Sequence, residues 1–522
     1  MRNFTTFGVG ILLVTLAVCP LRAQAQSSAT PQIEEISIAD LQAVLNDKRL
    51  TCRQVVDNYI RRIDAYDKNG PSINSIVLIN PRARDIADSL DGVQRRGGAR
   101  GPLHCIPIVV KDNFETVDMP TTAGSLSLAG YMAATDAFQV KRVRDAGAVI
   151  IAKSNMAEFA FSPYETVSSI LPGYSKNPYA LDRVTAGSSG GTAAAVAASF
   201  AAVGLGSDTG NSIRGPSAHQ ALVGIRSTMG LTSRGGVVPL FMGADIAGPM
   251  ARSVADAVAI FQVIVGEDPD DSVTVRSRGR PVPNYAQSLD ANGLRAARIG
   301  VLRQAYESPT TDSEVVLLFR RALDDLRKEG ATIIDSAMVP ELDSLRRLQT
   351  GACNTFEYDL NGFLAARGAR VPVKSVADIL RSRRFHPSIE KRLETAQGVE
   401  GTPDENPDCK SRDAFRAAFR DAVTRMFDRL RLDAVVYPSW SNPPRLIGDL
   451  NTPHGDNNQL FSPSTGFPAI TVPMGYLRGG VLPSGLQFFG RAWSEPTLIK
   501  FAYAYEQATR HRRPPTTVPP LR

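Results

Sequence analysis

Residues 298–335 read RIGVLRQAYESPTTDSEVVLLFRRALDDLRKEGATIID. An apolar strand at Arg298 to Leu302 is followed by a long amphipathic segment, Asp312 to Lys328, then by Gly330 and a second strand, Thr332 to Asp335. Strand, helix and strand in that order predict two sheet strands bridged by a covering helix. The rhythm occurs twice more. CIPIVV at Cys105 to Val110 precedes a helix-like VKRVRDAG and the strand-like AVIIAK at Ala148 to Lys153, and the helical Ser411 to Leu430 precedes LDAVVYP. Such alternation predicts an α/β fold, a mixed, mostly parallel twisted sheet covered by helices on both faces.

Composition agrees with one large domain. The chain has 522 residues, 43% hydrophobic and 21% charged, with 42 Gly and 35 Pro. Those proportions exclude a disordered tail, a collagen-like rod and a disulfide-dense miniprotein. No fixed-period repeat or low-complexity linker divides the chain, so residues 26–522 are read as a single domain, with Glu267 to Ala291 and Gly398 to Asp408 as loops. Ser37 to Asp40 and Thr51 to Gln54 have the pattern of capping boxes and predict a pair of N-terminal helices.

Residues 1–25 are set apart. Arg2 precedes an apolar run from Phe7 to Cys19, and Ala23-Gln24-Ala25 follows as a small-residue cleavage site. The run is shorter than the roughly 20 residues that span a bilayer, so it predicts a signal peptide cleaved near Ala25 and not a stable membrane anchor. The protein is expected to be exported, to the periplasm or the medium. Loss of Arg2 and Arg22 takes the net charge from +7 to +5. The basic clusters at Arg381 to Phe385 and Arg510 to Arg513 are not interleaved with aromatics, so no nucleic-acid partner is expected. Cys52, Cys105, Cys353 and Cys409 remain, and an oxidising compartment permits two bridges in any of three pairings. With no CxxC, no HExxH and the His residues far apart in sequence, neither a metal nor another cofactor is expected.

Residues 185–239 depart from this pattern: TAGSSGGTAAAVAASFAAVGLGSDTGNSIRGPSAHQALVGIRSTMGLTSRGGVVP. Two turns rich in Gly and Ser flank a short helix of small residues, and such turns aim several backbone N–H groups at one point. GSSGG fits the nucleophile elbow G-x-S-x-G with Ser189 at its centre, which implies an α/β-hydrolase-type serine esterase with His219 or His454 as the base. A P-loop is excluded because no Gly-Lys dipeptide occurs. Lysine supplies only 11 of the 59 basic residues, so Lys111 at the end of an apolar strand stands out.

The same segment resembles the amidase signature family. The likeness extends to Val110 to Asn113, TTAGS at Thr121 to Ser125, AKSNMAEF at Ala152 to Phe159, GPMARSVAD at Gly248 to Asp256 and TGFPAITVP at Thr465 to Pro473, in the family's order. It covers roughly residues 35–510. The resemblance implies a Ser-cisSer-Lys triad of Ser212 as nucleophile, Ser188 as bridging serine and Lys111 as base, with 77 residues between the first pair in the chain and 24 between the second. It further implies an oxyanion hole of backbone N–H groups at Thr209, Gly210, Asn211 and Ser212, an acyl-enzyme, and hydrolysis of a carboxamide C–N bond in a small-molecule or peptide amide. Asp208 and Arg214 are read as holding the second turn, and Asp112 and Asn113 as fixing the strand end. Asn211 and Ala186 stand where the family usually has glycine, and Arg226-Ser227 replaces its usual Lys-Pro. A catalytically silent binding protein requires a lost triad member, and none is lost. The loops Ser162 to Tyr174 and Cys353 to Phe363 are expected to shape the pocket, and the protein to be a monomer or homodimer.

Overall fold

The computed structural model describes residues 32–98, 100–398 and 401–521, with residues 1–6 and 8. Most of the leader, including the cleavage site near Ala25, lies outside them. Both predicted N-terminal helices form. Ser37 caps Ile38–Asn46 by accepting from the Asp40 N–H, and Thr51 and Gln54 close a reciprocal capping box on Cys52–Arg62. Such a cap contributes about 1 kcal/mol.

The strands among the described residues are β1 (Ile76–Ile79), β2 (Pro107–Lys111), β3 (Val149–Ser154), β4 (Lys176–Asn177), β5 (Ala180–Val184), β6 (Val203–Asp208), β7 (Val223–Arg226), β8 (Ile246–Ala251), β9 (Arg298–Leu302), β10 (Thr332–Ala337), β11 (Ala434–Pro438), β12 (Ala469–Leu477) and β13 (Leu482–Phe489). Strands β4 and β5 pair with each other. The remaining eleven form one sheet in the order β1-β3-β2-β6-β8-β7-β12-β13-β11-β9-β10.

The sheet is mixed, with helices on both faces. Each predicted strand–helix–strand unit yields a parallel pair: β2 with β3, and β9 with both β10 and β11; β2 also runs parallel to β6. These parallel strands lie toward the two flanks. The centre, from β6 through β8, β7, β12 and β13, is antiparallel, because the 469–489 stretch returns as a hairpin and β8 runs back between β6 and β7. Every residue of β2, β3, β6 and β8 is buried. A strand covered on both faces reads as a continuous apolar run, and each fully buried Val, Ile or Leu contributes roughly 1.5–3 kcal/mol. Lys111 and Lys153 end two of these runs and are wholly buried, a placement an ammonium group tolerates only with partners or with a changed protonation state.

The disulfides join Cys52 to Cys105 and Cys353 to Cys409. The first ties an N-terminal helix to the entry of β2. No helix among the described residues is long and apolar enough to cross a membrane.

Candidate active site

Lys111 is the last residue of β2, and the neighbouring parallel strand β6 ends at Asp208, so both strands deliver their carboxyl ends to one crevice. In sheets of this kind ligands bind at that edge. Ser188 sits in the turn before the helix Gly190–Ala197, and Ser212 in the turn between β6 and the helix Arg214–His219. The first turn packs very closely. A Cβ at Gly191 meets the Asn155 carbonyl oxygen at 2.3 Å, and one at Gly190 meets the Thr185 hydroxyl at 2.2 Å. These glycines serve close approach, since neither has a positive φ. The Gly187–Ser188 peptide is cis.

The structure brings Lys111 and Ser188 together: Nζ lies 2.7 Å from Ser188 Oγ. It also lies 2.8 Å from Ser207 Oγ, which in turn accepts from Asn113 Nδ2 at 3.0 Å. Burial disfavours the ammonium form and, against the opposing pull of Asp245 and Asp208, lowers the Lys111 pKa to about 7. Ser212 Oγ donates instead to Asn211 Oδ1 at 3.3 Å, and no hydrogen bond joins it to Ser188. Asn211 Nδ2 donates to the Pro163 carbonyl, so this side chain links the Ser212 turn to the 163 loop.

The second turn is held from below by Asp208. Its carboxylate accepts from the Ile213 N–H and from Arg214 Nε at 3.1 Å, and pairs with Arg226 Nη1 at 3.0 Å. Burial alone would raise its pKa; the two guanidinium groups overrule it and hold the acid at about 2. Arg226 also donates to the Ala244 carbonyl, so it braces the turn against the 244–245 loop. Asp245 accepts from the Thr209 hydroxyl and from the N–H groups of Leu240 and Phe241. Asp112 is a step removed from this crevice: it accepts from the Thr122 hydroxyl and the Gly124 N–H and lies 3.4 Å from Lys153 Nζ.

A cavity of about 500 Å³ opens over Thr209, Gly210, Asn211 and Ser212. Its aromatic walls are Phe161, Tyr164, Phe241 and Phe415, and Arg392, Arg412 and Arg416 also face it. The 162–174 loop contributes Pro163 and Tyr164 as predicted. The 353–363 segment does not line this cavity; Glu357 to Asp359 and Asn361 to Phe363 line a larger one across the 234–242 loop. Its place is taken by Phe241, Gln349 and the helix Pro407–Leu430, which tertiary packing brings in from distant sequence.

The elbow reading of Ser189 finds no partners. Its hydroxyl is wholly buried and donates to the Ser207 carbonyl at 3.1 Å. His219 is stacked on Trp440, neither of its ring nitrogens has a partner among the described residues, and burial lowers its pKa to about 3. His454 stacks on Tyr164.

Ser207, Asn113 and Asp245 are the polar groups around Lys111 and Thr209 that sequence reasoning left unassigned or underused. Ser207 carried one signal: it stands beside Asp208 at the end of an apolar strand.

Comparison with known proteins identifies the family. A family model described as Amidase matches residues 54–499. A probable amidase of Arabidopsis thaliana is 33% identical over 94% of this chain and 94% of its own length. A glutamyl-tRNA(Gln) amidotransferase subunit from Moorella thermoacetica is 33% identical, covering 91% of this chain and 97% of that protein. The solved peptide amidase of Stenotrophomonas maltophilia superposes with a TM-score of 0.84 at 36% identity, over 93% of this chain and 99% of that one. The chain therefore belongs to the amidase family and is a hydrolase of the C–N bonds of amides.

Proposed function

We propose that the protein is an exported amidase that cleaves the carboxamide bond of a small-molecule or peptide amide through Ser212, Ser188 and Lys111. The observation that carries this reading is the buried Lys111 amine, 2.7 Å from Ser188 Oγ and with its pKa lowered to about 7, so that the neutral form is accessible near physiological pH. A hydroxyl needs a base to attack a carbonyl, and an amine poised near pH 7 supplies one. Neutral Lys111 takes the Ser188 proton as Ser188 takes that of Ser212, whose hydroxyl first turns away from Asn211. Ser212 Oγ bonds to the carbonyl carbon, and the backbone N–H groups of Thr209, Gly210, Asn211 and Ser212 receive the oxyanion, an effect of about 3–4 kcal/mol per donor in comparable sites. The relay then returns the proton to the departing amine. Water cleaves the acyl-enzyme by the same route.

The cavity of about 500 Å³, rich in aromatic rings, suits a compact amide or the end of a peptide. The leader and two disulfides support an oxidising compartment outside the cytoplasm, which separates this protein from a role in tRNA amidation. The test is hydrolysis of a panel of primary amides, amino-acid amides and peptide amides by wild type, Ser212→Ala and Lys111→Ala. Both variants are expected to fold and to lose activity. Full activity in folded Ser212→Ala defeats the proposal.

A further inference from the structure

Gln349 reaches the Ser212 cavity from a stretch, 347–353, that is exposed except at the half-buried Gly351 and Cys353 and has no helix or strand of its own. This strap lies across the first turn of the helix Pro407–Leu430. A Cβ added at Gly351 meets Asp408 Oδ2 at 2.3 Å, Thr350 N donates to Ser411 Oγ at 3.2 Å, and Thr350 Oγ1 donates to Asp408 Oδ1 at 3.4 Å. Those hydrogen bonds are exposed and weak. The one strong tie is covalent, the Cys353–Cys409 disulfide.

Cys409, Arg412 and Arg416 share one helix face, three and seven residues apart. Arg412 Nη1 lies 2.7 Å from Cys353 Sγ, and its guanidinium sits 4.5 Å from the centre of the Phe241 ring. Arg416 donates to the carbonyls of Ser464 and Pro463 and also faces Phe241. The bridge thus joins the strap to the helix face that forms one wall of the cavity. Cutting it leaves the stretch that carries Gln349 tied to the Pro407–Leu430 helix by the exposed Thr350 hydrogen bonds and by its attachment to the helix Leu342–Arg346, and takes a neighbour from Arg412.

We propose that the Cys353–Cys409 disulfide is a specificity determinant: it straps Gln349 against the cavity wall and so favours amides long enough to reach beyond the Ser212 turn. The proposal rests on the reading of this cavity as the substrate site. Cys52–Cys105 lies elsewhere, at the entry of β2, and serves as the comparison.

The test compares a small primary amide with a tetrapeptide amide in wild type, Cys353→Ser/Cys409→Ser, Cys52→Ser/Cys105→Ser and Gln349→Ala. Losing the strap raises the ratio of KM for the long amide to KM for the small one by about fivefold, the scale of one lost contact, while the ratio of their kcat values holds. Gln349→Ala moves the KM ratio the same way with the bridge intact, so the outcome does not depend on the Cys353→Ser/Cys409→Ser protein folding. An unaltered KM ratio in Gln349→Ala overturns the proposal, as does an equal fall in kcat for both amides in Cys353→Ser/Cys409→Ser. The same shift in Cys52→Ser/Cys105→Ser also overturns it, since the effect then belongs to general loosening. If Ser212→Ala is inactive and the ratio still does not move, the strap alone fails; if Ser212→Ala remains active, the reading of the cavity fails first.

Discussion

Lys111 sets a pH dependence whose sign and size follow from its burial. Its pKa falls from an ordinary 10.5 to about 7 because the ammonium form loses water, with Asp245 and Asp208 offsetting part of the effect. At about 1.4 kcal/mol per unit, the displacement corresponds to roughly 5 kcal/mol. The neutral form is the one that accepts a proton, so kcat/KM rises about tenfold per pH unit below 7 and levels off above pH 8. Stability follows by linkage. The folded pKa lies below the unfolded one, so between pH 7 and about 10 the unfolded chain holds the extra proton, and this group's contribution to stability increases as pH rises through that window. Below pH 7 both states are protonated and the slope vanishes. The assay is initial-rate release of ammonia or amine from a peptide amide between about pH 5 and about pH 11, paired with urea unfolding at each pH. Lys111→Met should lose activity by a factor on the order of 100–10,000 and lose the alkaline stability slope. A rate independent of pH across that range, or an acid limb centred near pH 10, refutes the reasoning.

Other outcomes follow from the same geometry. Asp245→Asn removes the first of the two carboxylates that favour the Lys111 ammonium, so the acid limb of the pH–rate curve should move to lower pH; an upward move contradicts the electrostatics. Asp208→Asn leaves Arg214 and Arg226 buried beside a neutral group and should destabilise the protein by about 3–5 kcal/mol in denaturant unfolding, whereas an unchanged midpoint speaks against the pairing. Asn211→Gly removes the acceptor for the Ser212 hydroxyl but none of the backbone N–H groups of the turn. Steady-state rates should therefore stay within about tenfold of wild type, and a thousandfold loss would place the Asn211 side chain itself in the chemistry.

Much of the architecture was legible because it is local. Arg298 to Asp335 fold as a parallel pair with a covering helix since apolar spacing, caps and a terminal glycine act within a few turns of chain. Lys111 was legible as an anomaly, a rare lysine closing an apolar run. The antiparallel centre was harder to see: β8 returns between β6 and β7 through pairings set by sheet assembly, and no local pattern records that order. Ser207 looks like any small residue in a Gly/Ser-rich strand, and only the parallel register of β6 with β2 puts its hydroxyl on the Lys111 amine. Asp245, Gln349 and Arg416 reach the site from separate loops and a distant helix. Their roles depend on tertiary contact, which is also why Phe241 and not the 353–363 segment forms the cavity wall.

The identity of the attacking oxygen is tested most directly by treating the folded protein with a fluorophosphonate and mapping the adduct by peptide mass spectrometry. A single phosphonyl group on Ser212, abolished by Lys111→Met, is the result predicted here. Modification of Ser189 with Ser212 untouched contradicts it.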